Sequence, residues 1–365
     1  MAALQQPAPG STAEASELLK AAAGRTVAIR GAGTKQDWGG KLEQPDLVVD
    51  TRRLTGIVEH AAADLIVVVR AGTPMAELQE ELAAKGQQLA LDQPFDGATV
   101  GGTVAANTSG PRRMLYGTAR DLVIGMTIVR ADGTVAHSGG KVVKNVAGYD
   151  LGKLFTGSYG TLGLITRCAF RLHPLPESST FVRSRVRDFG EALAGIRSAQ
   201  VVPSAVEIDS MSGEIAVLVE GTAAGVSARA ATLAEILGGD EGRPDWWGRY
   251  PWAPGGTGIK VTAALSRVPA LLNRKIKVRG SAGTGVLYAG LPSDTPPDDV
   301  ARIVDELRTA AHDAGGHAIV LTAPQEVRER VDIWGPVDGL ALMWRVKQQF
   351  DPDGRLAPGR FVGGI

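Results

Sequence analysis

Apolar residues recur along this chain at strand and helix spacings in alternation. Val27 to Arg30 and Leu47 to Asp50 read as short strands, and Leu65 to Arg70 is a β-branched run suited to a buried strand. Residues 1 to 12 are rich in Pro and Ala and read as a loose arm; residues 13 to 23 then read as a short helix stopped by Gly24. The next helix is better marked. Thr73 is placed to N-cap it, Pro74 sits in its first turn, and Gly86 ends it. Met75, Leu78 and Leu82 share its apolar face at spacings of three and four. Residues 121 to 138 read as a hairpin turning at Ala131-Asp132-Gly133, and LITRCAFRL reads as one more strand.

Around Pro174 and Pro176 the texture changes. Residues 181 to 187 alternate, with Val182, Ser184 and Val186 on one side and three arginines on the other, as in a half-exposed strand. Asp188 and Glu191 form a capping-box pattern ahead of a helix over 189 to 199. Strand-like runs at 204–209, 215–220, 284–289 and 317–322 interleave with helical stretches at 225–237 and 298–314. Residues 239 to 258 read as a long loop bearing Trp, Pro and Gly, and ALMWRVKQQF reads as a C-terminal helix. The pattern predicts three parts: 1–176, an α+β segment over 177–330, and a helix and tail over 331–365.

Composition narrows the chemistry. Lys and Arg number 39 against 39 Asp and Glu, so binding nucleic acid by global positive charge is excluded. The one cysteine, Cys168, excludes a disulfide framework, a cysteine zinc site and a cysteine-ligated iron–sulfur cluster, and reads as a small buried hydrophobe. Five histidines show no paired zinc-hydrolase spacing, and His317 reads as a partly buried strand residue. The first residues lack the basic and apolar regions of a signal peptide, and no apolar run is long enough for a transmembrane segment. A cytoplasmic location is expected, or one peripheral to the inner membrane through partners.

Glycine is the outlier. There are 47 in 365 residues, about 13% against a usual ~7%. They cluster in RGAGTK (30–35), GATVGGTVAANTSG (97–110) and GSYGTLG (157–163). Consecutive unobstructed N–H groups in such loops suit a phosphate or pyrophosphate, and Arg30 and Lys35 add positive charge beside the first loop. The alternative is tight turns in a β-rich domain. A Rossmann unit is rejected, because Gln36 stands at the third glycine position and residues 34–46, with Gly39, Gly40 and Pro45, do not make a crossover helix. No Walker pattern is present.

The ordered set RGAGTK, GATVGGTVAANTSGPRRMLYGTARDLVIGM, KNVAGYDLGKLFTGSYGTLGLIT and FDPDGRLAPGR resembles the vanillyl-alcohol oxidase (PCMH-type) FAD-binding family over about half of the chain. Within it, PRR followed by KNVAGYDL and GSYGTLG is most similar to the FAD-binding E subunits of bacterial glycolate oxidases. The resemblance implies an α+β, two-subdomain PCMH-type FAD-binding fold with a small α+β cap. It implies that Arg30, Gly31, Ala32, Gly33, Thr34 and Lys35 contact the FAD pyrophosphate and ribitol. Pro94, Thr99, Val100, Gly101, Gly102, Ala105, Asn107 and Gly110 would form a second wall, fixed by Tyr116, Gly117 and Asp121. Gly160, Thr161, Gly163 and Ile165 would lie against the adenine side or the flavin, and Arg360 would reach the flavin edge from the tail.

Thr34 stands where covalently flavinylated members carry histidine, so the resemblance implies non-covalent FAD. The histidine- and glutamate-rich cap motif of catalytic relatives is missing here, and the tail reads Leu-Ala-Pro-Gly where the family has Asn-Pro-Gly. The implied function is the FAD-binding subunit of a glycolate (2-hydroxy acid) oxidoreductase, partnered by a catalytic FAD-linked subunit and an iron–sulfur subunit. Alternatives are a self-sufficient FAD-dependent 2-hydroxy-acid dehydrogenase, a flavin-free scaffold, and a peptidoglycan-precursor reductase, which KNVAGYDL and the FDP tail argue against. Outside the glycine loops, Trp246, Trp247, Tyr250 and Trp252 read equally as a docking patch or as a loop packing its own rings. Lys260, Arg267, Arg274, Lys275, Lys277 and Arg279 read as a solvated basic face, and Lys141 and Lys144, ahead of Asn145 and Tyr149, as either flavin-facing or a surface turn.

Overall fold

The computed structural model describes residues 4–92, 94–140, 150–272 and 277–365. Lys141, Lys144, Asn145, Tyr149, Arg274 and Lys275 lie outside them. The fold is α+β, in two units. Met1–Ser109, Gly117–Leu175 and Pro336–Ile365 make the first, and Gly110–Tyr116 and Pro176–Gly335 make the second.

The first unit begins with a parallel pair, β1 (Val27–Arg30) on β2 (Leu47–Asp50), in register Val27 to Leu47. The chain joins them without a helix, as the glycines and proline of 31–46 dictate. Parallel pairing was nonetheless not expected, because that normally calls for a helical crossover. Here the C-terminal tail holds the connection instead. Gly40 N–H donates to Arg360 O at 2.7 Å, Glu43 N–H to Pro358 O at 3.1 Å, and Val27 exchanges hydrogen bonds with Arg355 and Ala357. The N-terminal arm is likewise tied down, since Gln5 O accepts from Val48 N–H and Pro7 O from Asp50 N–H.

Five further strands form an antiparallel sheet ordered β3-β4-β8-β6-β7, with β3 Ile57–Ala61, β4 Ile66–Arg70, β6 Val123–Val129, β7 Val135–Gly139 and β8 Leu164–Arg171. A two-residue pair, β5 (Gln87–Gln88) on β9 (His173–Pro174), completes the unit's strands. Helix Met75–Ala83 buries Met75, Leu78 and Leu82, as its spacing predicts. Thr73 does not cap it: its Oγ1 accepts the Gly56 N–H at 2.9 Å, and Pro74 holds the cap position. The Cys168 side chain, on β8, is wholly buried, and burial pushes its thiol up to about 12. A thiol reagent at pH 8 is therefore expected to leave the folded chain unlabelled and to label it once in denaturant; a colorimetric thiol assay reads both.

The second unit is one eight-stranded antiparallel sheet. Its strands are β10 Ser178–Arg185, β11 Ala205–Asp209, β12 Glu214–Gly221, β13 Asp240–Glu241, β14 Thr257–Thr262, β15 Arg279–Ser281, β16 Val286–Leu291 and β17 Ala318–Thr322. They run in the order β13-β10-β12-β11-β15-β16-β14-β17. Val182, Ile208, Val217, Ile259 and Leu287 face a core closed by helices Phe189–Ser198, Ala223–Leu237 and Pro297–Asp313. Asp188 caps the first of these through its carboxylate, accepting from Gly190 and Glu191 N–H. The loop aromatics pack inward. Trp246 and Trp247 sit buried on Ala205, Ala216 and Leu218, and Tyr250 stacks on Trp252 with centroids 4.4 Å apart. His317 is exposed just ahead of β17, not partly buried within it. Arg279 pairs with Asp209 at 3.3 Å, so it does not belong to a solvated basic face.

Candidate functional site

β1 ends at Arg30 and hands the chain to Gly31–Lys35, which turns at Gly33 with φ +81°. Among the described residues the N–H groups of Gly31, Ala32, Gly33, Thr34 and Lys35 meet no acceptor. Five adjacent donors without partners are the arrangement an anionic group needs.

The second glycine segment differs from the open nest expected of it. Thr99 starts a helix over Val100–Ala105, and its Oγ1 accepts the Gly102 N–H at 3.3 Å. Val100 N–H donates to Thr73 O and Gly101 N–H to Ala71 O, at 2.9 and 2.7 Å. These donors are already used. The glycines here serve close packing: a Cβ on Gly101 would lie 2.8 Å from Ala71 Cβ, and one on Gly31 would lie 2.4 Å from Thr99 Oγ1. The third segment leans on the second, with Tyr159, itself at φ +54°, donating its N–H to Ala105 O at 2.9 Å.

The three segments line one cavity, open to solvent. Of the sequence-predicted residues, Gly31 to Lys35, Thr99, Gly101, Gly102, Ala105, Gly160, Gly163, Ile165 and Arg360 line it. The others stand outside the lining. Arg30 turns to Gln6 Oε1 at 2.7 Å, Val100 is buried in the core, and Pro94 is not among the lining residues. Asn107 sits at φ +47° with its Oδ1 buried and unpartnered. Thr161 turns its hydroxyl to Ser158 O. Gly110 and Tyr116 belong to the second unit. Asp121 accepts from Thr118 N–H and Oγ1, both at 2.8 Å, beside Gly117 at φ +87°. Ile29, Gln36, Thr51, Ala71, Ala106 and Tyr159 line the cavity without having been singled out in the sequence. Strand and loop neighbours of a glycine motif carry no chemical mark of their own.

Two cations govern the electrostatics. Lys35 is 7% exposed, donates to Thr34 Oγ1 at 3.0 Å and lies over the Phe95 ring at 4.9 Å. It forms no ion pair among the described residues, and burial lowers its ammonium to about 8 despite the opposing charge of Asp37. Arg360 donates to Lys35 O at 2.8 Å and Gln36 Oε1 at 2.9 Å, so its guanidinium braces the first loop.

A second brace holds the third loop. Lys347, in helix Leu340–Phe350, is buried and donates to Asp351 Oδ2, Thr161 O and Leu356 O at 2.7, 2.8 and 3.0 Å. Asp351 also accepts from Arg355 N–H and Leu356 N–H. The sequence reading missed this pair. Its signal was a lysine at the place in ALMWRVKQQF where Met343 and Phe350 would otherwise continue an apolar face.

The cavity fits FAD on its own residues. Unpartnered N–H donors and a buried, unpaired ammonium match a pyrophosphate, and the small residues of the second wall leave room for a flat ring. Among the described residues, no histidine or cysteine lines the cavity. The comparisons agree: residues 7–139 match the model for the FAD binding domain, and residues 286–361 the model for the C-terminal domain of FAD linked oxidases. The glycolate oxidase subunit GlcE of Escherichia coli strain K12 is 29% identical over 361 residues, 93% of each chain. The glycolate oxidase subunit GlcD of Bacillus subtilis strain 168 is 32% identical over 206 residues, 55% of this chain and 44% of that one. A D-lactate dehydrogenase of Archaeoglobus fulgidus is 34% identical over 168 residues, 46% of this chain and 38% of that one. The chain thus spans less than half the length of these last two relatives. Among solved structures, an alkyldihydroxyacetonephosphate synthase superposes with a TM-score of 0.68 at 16% identity, covering 97% of this chain and 75% of that one, a likeness of fold.

Proposed function

We propose that this chain, an FAD-dependent oxidoreductase, is the FAD-binding subunit of a 2-hydroxy-acid oxidoreductase that turns glycolate into glyoxylate. In this reading a sister flavoprotein subunit oxidises the hydroxy acid and an iron–sulfur subunit carries electrons onward. The observation that carries the reading is the extent of likeness. The match to the glycolate oxidase subunit runs through both units, whereas the match to the D-lactate dehydrogenase takes in 46% of the chain.

FAD, when bound, accepts a pair of electrons and can release them singly, which suits a link between a hydroxy acid and one-electron carriers. The chain's own residues bind and position. Gly31 to Lys35 offer N–H donors and the Lys35 ammonium to the pyrophosphate. Arg360 fixes the loop that carries them. Thr99, Gly101, Gly102 and Ala105 form the close wall, and Tyr159, Gly160, Gly163 and Ile165 the opposite one. With no histidine or cysteine in the lining, the flavin is held non-covalently. No described helix is long and apolar enough to cross a membrane, and any attachment to one is assigned to the partner subunits.

An absorption spectrum of the purified chain, before and after denaturation and filtration, tests the cofactor. A flavin spectrum is expected, with the chromophore passing the filter; a chromophore retained with the protein would overturn non-covalent binding. Co-purification with the two partner subunits, followed by glycolate under anaerobic conditions, tests the complex. Bleaching by the assembly and not by the lone chain is expected. Bleaching of the lone chain at the same rate would make it a self-sufficient dehydrogenase instead.

A further inference from the structure

Opposite its apolar core, the second unit's sheet carries the Trp246 and Trp247 cluster over Ala205, Ala216 and Leu218, and beside that cluster a polar row crosses the strands. Cross-strand register places Asp209, Arg279, Tyr288 and Lys260 in line on β11, β15, β16 and β14. The Tyr288 hydroxyl accepts from Arg113 Nη2 at 3.2 Å, and Arg113 Nε donates to Gly110 O at 2.9 Å. The carboxylates of this face meet groups other than Lys260. Asp209 pairs with Arg279 at 3.3 Å and Glu220 with Arg112 at 3.6 Å. Glu214 accepts the Trp246 indole N–H at 2.8 Å, and Glu207 lies within electrostatic reach of Arg113. Lys260 alone has no carboxylate within 4.0 Å and no hydrogen bond among the described residues. It is not a solvated surface lysine: it is half-buried, and burial, with the nearby Arg113 charge, holds its ammonium below the usual lysine range.

Glu207 offsets the charge of Arg113, which leaves Lys260, half-buried beside Arg113 and the Tyr288 hydroxyl, without a counter-charge of its own. We propose that Lys260, Tyr288 and Arg113 form a seat for a small carboxylate anion within the second unit. Lys260 supplies the charge, Arg113 a second cation, and the Tyr288 hydroxyl a hydrogen bond. No metal is needed in this account. The choice of a 2-hydroxy acid as the occupant rests on the function proposed above; the seat itself does not.

Calorimetric titration of the flavin-loaded chain, anaerobically and at constant ionic strength, tests the seat with glycolate, acetate and chloride as probes. Saturable glycolate binding is expected, weakened about ten- to hundredfold in Lys260→Met, the loss typical of a hydrogen bond to a charged group. Tyr288→Phe, which keeps the ring and its packing, is expected to weaken it by a smaller factor. Lys277→Met, at an exposed lysine, is expected to bind as the wild type does. Acetate binding as tightly as glycolate supports a carboxylate seat and removes the hydroxy acid from the assignment. No saturable binding, equal binding by Lys260→Met with native circular dichroism, or an equal response to chloride overturns the seat. None of these touches the bleaching experiment on the three-subunit assembly, so the two readings fail separately.

Discussion

Replacing Asp351 with alanine is expected to remove about 3–5 kcal/mol of stability, the usual result of stripping one partner from a buried ion pair. The reason lies in what remains. Lys347 and Asp351 have side chains 3% and 0% exposed, with Nζ to Oδ2 at 2.7 Å. Without the carboxylate, Lys347 keeps two carbonyl acceptors but no counter-charge, and the Arg355 and Leu356 N–H groups lose theirs. Arg355 is drawn in as well, since it donates to Arg25 O, Ala131 O, Leu19 O and Ala22 O. Asp351→Asn should fall between wild type and alanine, because the amide oxygen still accepts. Urea unfolding followed by far-UV circular dichroism measures the difference. The flavin should loosen in parallel, since Lys347 holds Thr161, next to Gly160 in the cavity wall. An alanine variant within about 1 kcal/mol of wild type would show that this pair behaves as an exposed one.

Lys35→Met is expected to weaken FAD binding about ten- to hundredfold while leaving the fold intact. The sign of its pH dependence follows from one value. Burial sets the Lys35 ammonium near 8, against 10.5 for an ordinary lysine. A bound pyrophosphate stabilises the charged form, so FAD affinity should be flat below pH 7 and fall as pH rises through 8. Stability of the flavin-free chain should run the other way. Between pH 8 and 10.5 the unfolded chain holds this proton longer than the folded one, so folding gains with rising pH, by at most about 3 kcal/mol. Both trends should vanish in Lys35→Met. Fluorescence titration with FAD at pH 6 to 10, and urea midpoints over the same range, check them together. A wild-type affinity independent of pH up to 10 would place Lys35 away from the pyrophosphate.

The first loop of the cavity was legible because its chemistry is written in residue types: two glycines, a lysine and a preceding β-run suffice to mark an anion-binding turn. The second was misread as an open loop because Gly101 and Gly102 oppose helix formation in isolation. Helix Val100–Ala105 exists through tertiary bonds to Ala71 and Thr73, which no local window contains. Strands were missed for a related reason. β3 carries Glu59 and His60 side by side and lacks the apolar alternation that marks a half-buried strand, while β14 alternates only over Ile259, Lys260 and Val261, too short a run to stand out beside a glycine-rich loop. Lys347 and Asp351 look in sequence like any surface pair four apart on a helix, and only packing distinguishes a buried pair from a solvated one. Trp246 and Trp247 left two readings even, and burial on Ala216 and Leu218 settled it in favour of self-packing.

The tail that braces two loops of the cavity follows every described strand of both units in the sequence. A chain cut after residue 335 therefore keeps its glycine loops and has neither Lys347 nor Arg360 to hold them. Proteolytic nicking ahead of helix Leu340–Phe350 is thus expected to release flavin while both sheets remain folded.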